Sequence, residues 1–206
     1  MVAANIRRHP SLWSEASQGR VDEVRRLLAG GADIEETGGL MWASPLHAAA
    51  FGGHLAVAQL LVEAGANVLA TAYAGSTPLH EAALHRHEAV ARLLLEHGAD
   101  VSSKTHAGST PLHWTSNQGR TVVARLLIEH GADVSAPTHD GTTPLHFAAL
   151  GGHEDLARLL LEHGANASSK RNDGTTPAEV ATAESHFQIV EMLKTQRQGL
   201  RASCEG

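Results

Sequence analysis

Cysteine is almost missing from this chain of 206 residues; Cys204 is the single one. A disulfide framework is therefore impossible, and a reducing, intracellular setting is expected. Aromatic side chains are scarce too, with three Trp, three Phe and one Tyr, so a core must be built from aliphatic residues and alanine. No uninterrupted apolar run approaches the roughly 20 residues a membrane-spanning helix needs, and "MVAANIRRHP" lacks the apolar centre of a secretory signal. The net charge is only −6, with acids and bases interspersed. No basic stripe marks a nucleic-acid surface. Motifs of catalysis are also missing: there is no G-x-S-x-G elbow and no glycine-rich phosphate loop. Neither an enzyme nor a cofactor or metal site is expected.

What the chain has is repetition. Ser44-Pro45-Leu46-His47 recurs as Thr77-Pro78-Leu79-His80, Thr110-Pro111-Leu112-His113 and Thr143-Pro144-Leu145-His146, each 33 residues after the last. Thr176-Pro177-Ala178-Glu179 is a degraded further copy. Gly65-Ala66, Gly98-Ala99, Gly131-Ala132 and Gly164-Ala165 keep the same step. Within a unit, Thr77 is a good N-cap and Pro78 suits the first helical position. "LHEAALHR" predicts a short helix and "HEAVARLLLEH" a second, with Val90, Leu93 and Leu94 on one face. Gly98 stops it in the left-handed conformation that glycine adopts at no steric cost. An extended stretch and a turn follow, signalled most strongly by Asp140-Gly141 and Asp173-Gly174. One such unit cannot bury its apolar helix face alone, but stacked neighbours can, which predicts a solenoid.

The period, the Thr-Pro-Leu-His helix start and the "LLLEHGAD" ending together resemble ankyrin repeats over residues 10–194. The resemblance implies an all-α solenoid of about six helix-turn-helix units with projecting β-hairpin loops. The units would start near residues 10, 44, 77, 110, 143 and 176. Residues 1–9 would form an N-terminal arm and 195–206 a frayed tail. The first helices and the loop tips would line a concave groove.

Fifteen histidines invite a metal or acid–base reading. The repeat absorbs eleven of them. His47, His80, His113 and His146 share the motif slot, which in the family is similar to a staple between units. His54, His87, His153 and His186 share a slot at the start of the second helix, and His97, His130 and His163 one at its end. His9, His85, His106 and His139 remain. His106 and His139 occupy the same loop position in units stacked roughly 10 Å apart, whereas zinc gathers ligand nitrogens within about 2.1 Å.

On a repeated scaffold, function lies in the departures. Trp42 and Tyr73 stand in loops, Phe51 at a first-helix end, and Trp114 and Phe147 share the slot after the motif histidine, which elsewhere reads Ala48, Glu81 and Val180. The first loop carries one extra residue. Trp42 stands there in place of Gly75, Gly108, Gly141 and Gly174, with Leu40 and Met41 beside it. Two compatible readings follow: a contact for another protein, or a side chain folded onto Trp13 or Tyr73 to close the cap. Arg86 replaces the glycine found as Gly53, Gly119 and Gly152, and Thr115-Ser116 replaces an alanine pair.

The expected function is binding one or more partner proteins, without catalysis, by a monomer. The candidate contact residues are Leu40, Met41, Trp42, Phe51, Tyr73, Leu84, Arg86, Trp114 and Phe147. A stoichiometric inhibitor of an enzyme or transcription factor, acting through the same surface, is the alternative. Neither nucleic acid nor membrane is expected as a partner.

Overall fold

The computed structural model describes residues 11–39 and 41–204, and their side chains as far as residue 196. Local chemistry sets each helix start. Ser44, Thr77, Thr110, Thr143 and Thr176 have extended backbones and hand over to a proline. Proline's fixed φ suits the first turn, and its missing N–H would have had no helical partner. The first helices are α1 (Leu12–Ser17), α3 (Pro45–Gly52), α5 (Pro78–Leu84), α7 (Pro111–Asn117), α9 (Pro144–Leu150) and α11 (Pro177–Ala183). The second helices are α2 (Val21–Ala29), α4 (Leu55–Glu63), α6 (Glu88–Glu96), α8 (Thr121–Glu129), α10 (Glu154–Glu162) and α12 (Phe187–Cys204). The last runs to 18 residues against nine in the others, continuing beyond Lys194.

The helices stack in two rows. In chain order α1, α3, α5, α7, α9 and α11 pack one on the next, and α2 to α12 do the same behind them. The motif leucines form the spine: Leu46, Leu79, Leu112 and Leu145 are fully buried, as is Leu12 in the first unit. Burying each is worth about 2 kcal/mol. Ala49, Ala82 and Ala148 let the inner helices approach closely. In the fourth unit Thr115 and Ser116 fill that place. Their hydroxyls donate back to the Leu112 carbonyl at 2.8 and 2.7 Å, so the buried polar atoms are satisfied.

The loops between units are tight turns that chain together. The Ala72, Thr105, Thr138 and Arg171 N–H groups close their own turns on Ser76, Ser109, Thr142 and Thr175 carbonyls at 2.8–2.9 Å. The Tyr73, His106, His139 and Asn172 N–H groups reach the preceding tip at Met41, Ala74, Ala107 and Asp140 (2.8, 2.7, 3.0 and 2.9 Å). The one strand-like pairing among the described residues is an isolated bridge, Gly38 to Ala43, in the first loop. Side by side, the tips and the first helices form one face.

Candidate binding face

The face is held rigid by its histidines. In each of the four complete motifs Nδ1 accepts from the backbone N–H of the capping Ser or Thr, at 3.0–3.3 Å. Nε2 then donates to a carbonyl 29 residues on, in the next unit: Ser76, Ser109, Thr142 and Thr175, at 3.1–3.2 Å. The imidazole thus plays the part of the capping-box glutamate and also staples two units. In the sixth unit Glu179 takes over the capping role. A ring that accepts at one nitrogen and donates at the other must be neutral. Burial enforces this: it lowers all four pKa values, to about 4 for His80 and His113. His97, His130 and His163 face the carbonyls of Leu93, Leu126 and Leu159 within their own helices at 2.8–2.9 Å.

The remaining slot forms a pad at each joint. His54, His87, His153 and His186 reach back to the carbonyls of Ser17, Phe51, Asn117 and Leu150 at 2.9–3.2 Å. Each ring lies over a left-handed glycine of the preceding unit, Gly19, Gly53, Gly119 and Gly152, where an added Cβ would overlap it. The joint between the third and fourth units departs twice. The pad residue is Arg120, whose Nε donates to the Leu84 carbonyl at 3.4 Å, and the covered residue is Arg86, left-handed at φ 68°. A non-glycine residue in that conformation costs about 1 kcal/mol. Ser185, in the same slot of the sixth unit, is also left-handed (φ 62°). Glycine thus stands at each of the four joints where a histidine packs on this slot, and Arg86 at the joint where an arginine takes the pad.

The candidate contact residues fall into two groups. Met41, Trp42 and Tyr73 sit at adjacent tips and are 53%, 70% and 64% exposed. Trp42 is left-handed at φ 51°, as are Gly75, Gly108, Gly141 and Gly174 in that slot of later units. It does not close the cap. Gly38 and Gly39 do, lying against the Trp13 ring so closely that a Cβ on Gly38 would overlap it. The extra residue of the first loop makes room for that glycine pair, which leaves the indole of Trp42 outside. Leu40 lies outside the described residues.

The second group lies on the inner helices. Leu84, Trp114 and Phe147 are half-buried and line a cleft of about 210 Å³ with Ser109, His113 and Asn117. Trp114 meets His80 edge-on, with ring centroids 5.0 Å apart, and Phe147 meets His113 at 6.0 Å. The aromatics thus rest on the staples of the preceding unit. Glu81 occupies their slot one unit earlier. Burial raises its carboxyl pKa, against a hydrogen bond from Ser76 that lowers it. Phe51 is set apart from the cleft, 4.2 Å from the His85 ring. Arg86 lies at the edge beyond it, exposed.

Sequence reasoning passed over Arg120. The signal was present, since the slot reads histidine at 54, 87, 153 and 186 but arginine at 120, as it does at Arg20 in the first unit. It also passed over a cleft of about 680 Å³ between α10 and α12, lined by Arg158, Leu161, Met192 and the exposed Phe187. Among the described residues no three His, Cys, Asp or Glu side chains are grouped to hold a metal. No described helix is long and apolar enough to cross a membrane.

A solenoid of helix pairs, with a row of apolar side chains along one face, defines a helical repeat protein. The family model described as ankyrin repeats (3 copies) matches residues 12–105, 103–171 and 131–202, and the chain belongs to the ankyrin repeat family. Ankyrin repeats are in general protein–protein interaction modules and are typically non-catalytic. No curated protein matches the chain.

Proposed function

We propose that this protein binds another protein across the inner helices and loop tips, performs no chemistry, and does so as a monomer. The observation that carries the reading is the placement of Trp114 and Phe147. They line a cleft on a face whose frame is already hydrogen-bonded from unit to unit. A preorganised face loses little entropy when a partner docks, and half-buried aromatics beside a cleft are the usual anchors of such interfaces. Trp42 and Tyr73 extend the surface at the N-terminal tips. Glu81 gives the apolar row one polar position.

The test begins with capture of partners from cell lysate by the immobilised protein and by its Trp114→Ala/Phe147→Ala variant. Affinity titration with the purified partner follows. The double variant is expected to weaken binding by tenfold or more, since buried aromatic anchors are worth about 2 kcal/mol each. Trp42→Ala should weaken it by less. Unchanged affinity in all these variants would move the contact surface off this face.

A further inference from the structure

Four joints of the solenoid carry the same pair, a left-handed glycine under the neutral imidazole of the next repeat. The joint between the α5–α6 and α7–α8 units carries two arginines instead, Arg86 and Arg120. Arg120 keeps the structural half of the histidine's role through its Nε, and the terminal nitrogens of its guanidinium have no hydrogen bond among the described residues. The Arg86 side chain has no ion pair or hydrogen bond among the described residues and is exposed. The two cations line one cleft of about 290 Å³ with Gly119, Thr121, Val122 and Val123. Burial, and secondarily the Arg86 charge, lower the pKa of Arg120. The carboxylate in that cleft, Glu88, is engaged by Arg92 at 3.0 Å. Next to Arg86, the His85 ring packs on Phe51 with its Nε2 buried and unpartnered. Glu81, the acid nearest along α5, is hydrogen-bonded to Ser76 toward the loop side of the face. Two like charges side by side repel unless an anion lies against them.

The apolar cleft adjoins this joint. Leu84 contributes its side chain to the wall shared with Trp114 and Phe147, while its carbonyl receives Arg120. A ligand following the face therefore meets an apolar hole and then two unpaired guanidiniums. We propose that this joint selects an acidic segment of the partner protein: an Asp or Glu carboxylate bridges Arg86 and Arg120 while a neighbouring apolar side chain fills the cleft at Leu84, Trp114 and Phe147. The inference rests on the reading of this face as the binding surface and adds the chemistry of what is bound. Arginine suits the task because its planar donors can grip a carboxylate in pairs.

The repeat itself supplies the control variant. Arg86→Gly with Arg120→His restores the pair found at the other joints, so the fold should melt no lower than the original. The probe is a display library of random linear peptides, selected on the full-length protein and screened for clones that require Trp114 and Phe147. Those clones are expected to pair an apolar residue with Asp or Glu a few positions away. The restored variant should bind them about tenfold more weakly, a change of 1.4 kcal/mol. Affinity for the original protein should also fall between about 0.05 and 0.5 M salt, as exposed charges are screened. Arg86→Glu with Arg120→Glu should turn the selection toward Lys and Arg. Clones that need the aromatics but show no acidic bias, or that bind the restored variant equally well, would overturn the proposal and leave the binding face standing. A library that yields no clone dependent on Trp114 and Phe147 would overturn both. Inorganic phosphate that raises the melting temperature only when the arginines are present, without acidic bias in the peptides, would assign the joint to a free anion and overturn the protein-segment reading.

Discussion

His80 and His113 are held neutral by their surroundings, and this sets a pH limit on the whole frame. Their pKa values are about 4 in the fold, against about 6.5 in an unfolded chain. The unfolded state therefore takes up protons first as pH falls. Their contribution is fully present above about pH 6.5 and is lost progressively between 6.5 and 4. At full loss the cost is roughly 3 kcal/mol per histidine, with His47 and His146 shifted in the same direction. Denaturant midpoints are expected to fall clearly between pH 7.5 and 5, and His80→Gln should flatten that dependence. A midpoint constant across this range would mean that the staples are not buried neutral groups. At the same scale, Trp42 is exposed and left-handed, so Trp42→Gly should leave the protein equal or more stable by up to about 1 kcal/mol. Trp114→Ala should cost more, roughly 1–2 kcal/mol, because the ring rests on His80 and is half-buried. Urea melts of the two variants test this ordering.

Joints between helices obey a rule that glycine substitutions can check. Gly98 and Gly152 are both left-handed, at φ 87° and 67°. A Cβ on Gly98 would meet nothing within 4 Å, whereas one on Gly152 would sit 2.6 Å from the His186 ring. Gly98→Ala should therefore cost only the backbone term of about 1 kcal/mol. Gly152→Ala should cost distinctly more, because the ring must also move and its bond to the Leu150 carbonyl stretches. Arg86→Gly goes the other way, relieving strain with no histidine involved. Equal losses at Gly98 and Gly152 would show that the pad rings are free to swing aside.

The molecule as a whole is a stack in which each unit touches only its neighbours. Its stability is therefore close to a sum over units and joints, and joints of unequal quality can open separately. The joint with two arginines is the weakest by charge, and the fourth unit also carries Thr115 and Ser116 where the second, third and fifth units have an alanine pair. Hydrogen exchange should show α7 and α8 opening more readily than α9 and α10, and Arg86→Gly with Arg120→His should narrow the difference. Uniform protection along the chain would mean that the stack opens as one body despite its uneven joints.

The period of 33, the Thr-Pro starts and the Gly-Ala stops were legible because they are local rules. A proline admits only the first helical turn, and a left-handed terminus admits glycine. Repetition then supplied the long-range contacts, since a unit that cannot bury its own leucines must bury them on its copy. The eleven scaffold histidines could be sorted by register for the same reason. What register could not decide was which carbonyl the motif and pad histidines meet, because that partner lies 29 to 37 residues away across a joint. Nor could it decide the place of Trp42. The sequence showed an extra loop residue and two glycines, but only packing determined that the glycines lie on Trp13 and the indole stays outside. The pairing of Arg86 with Arg120 was invisible for a simpler reason. Arg86 stood out alone as a departure, Arg120 lies 34 positions further on, and only stacking brings the two to one cleft. Sequence alone determined the unit and its repetition, since these follow from backbone stereochemistry and the period of apolar residues. Tertiary structure decided the surface, because exposure belongs to neighbouring units and not to any residue by itself.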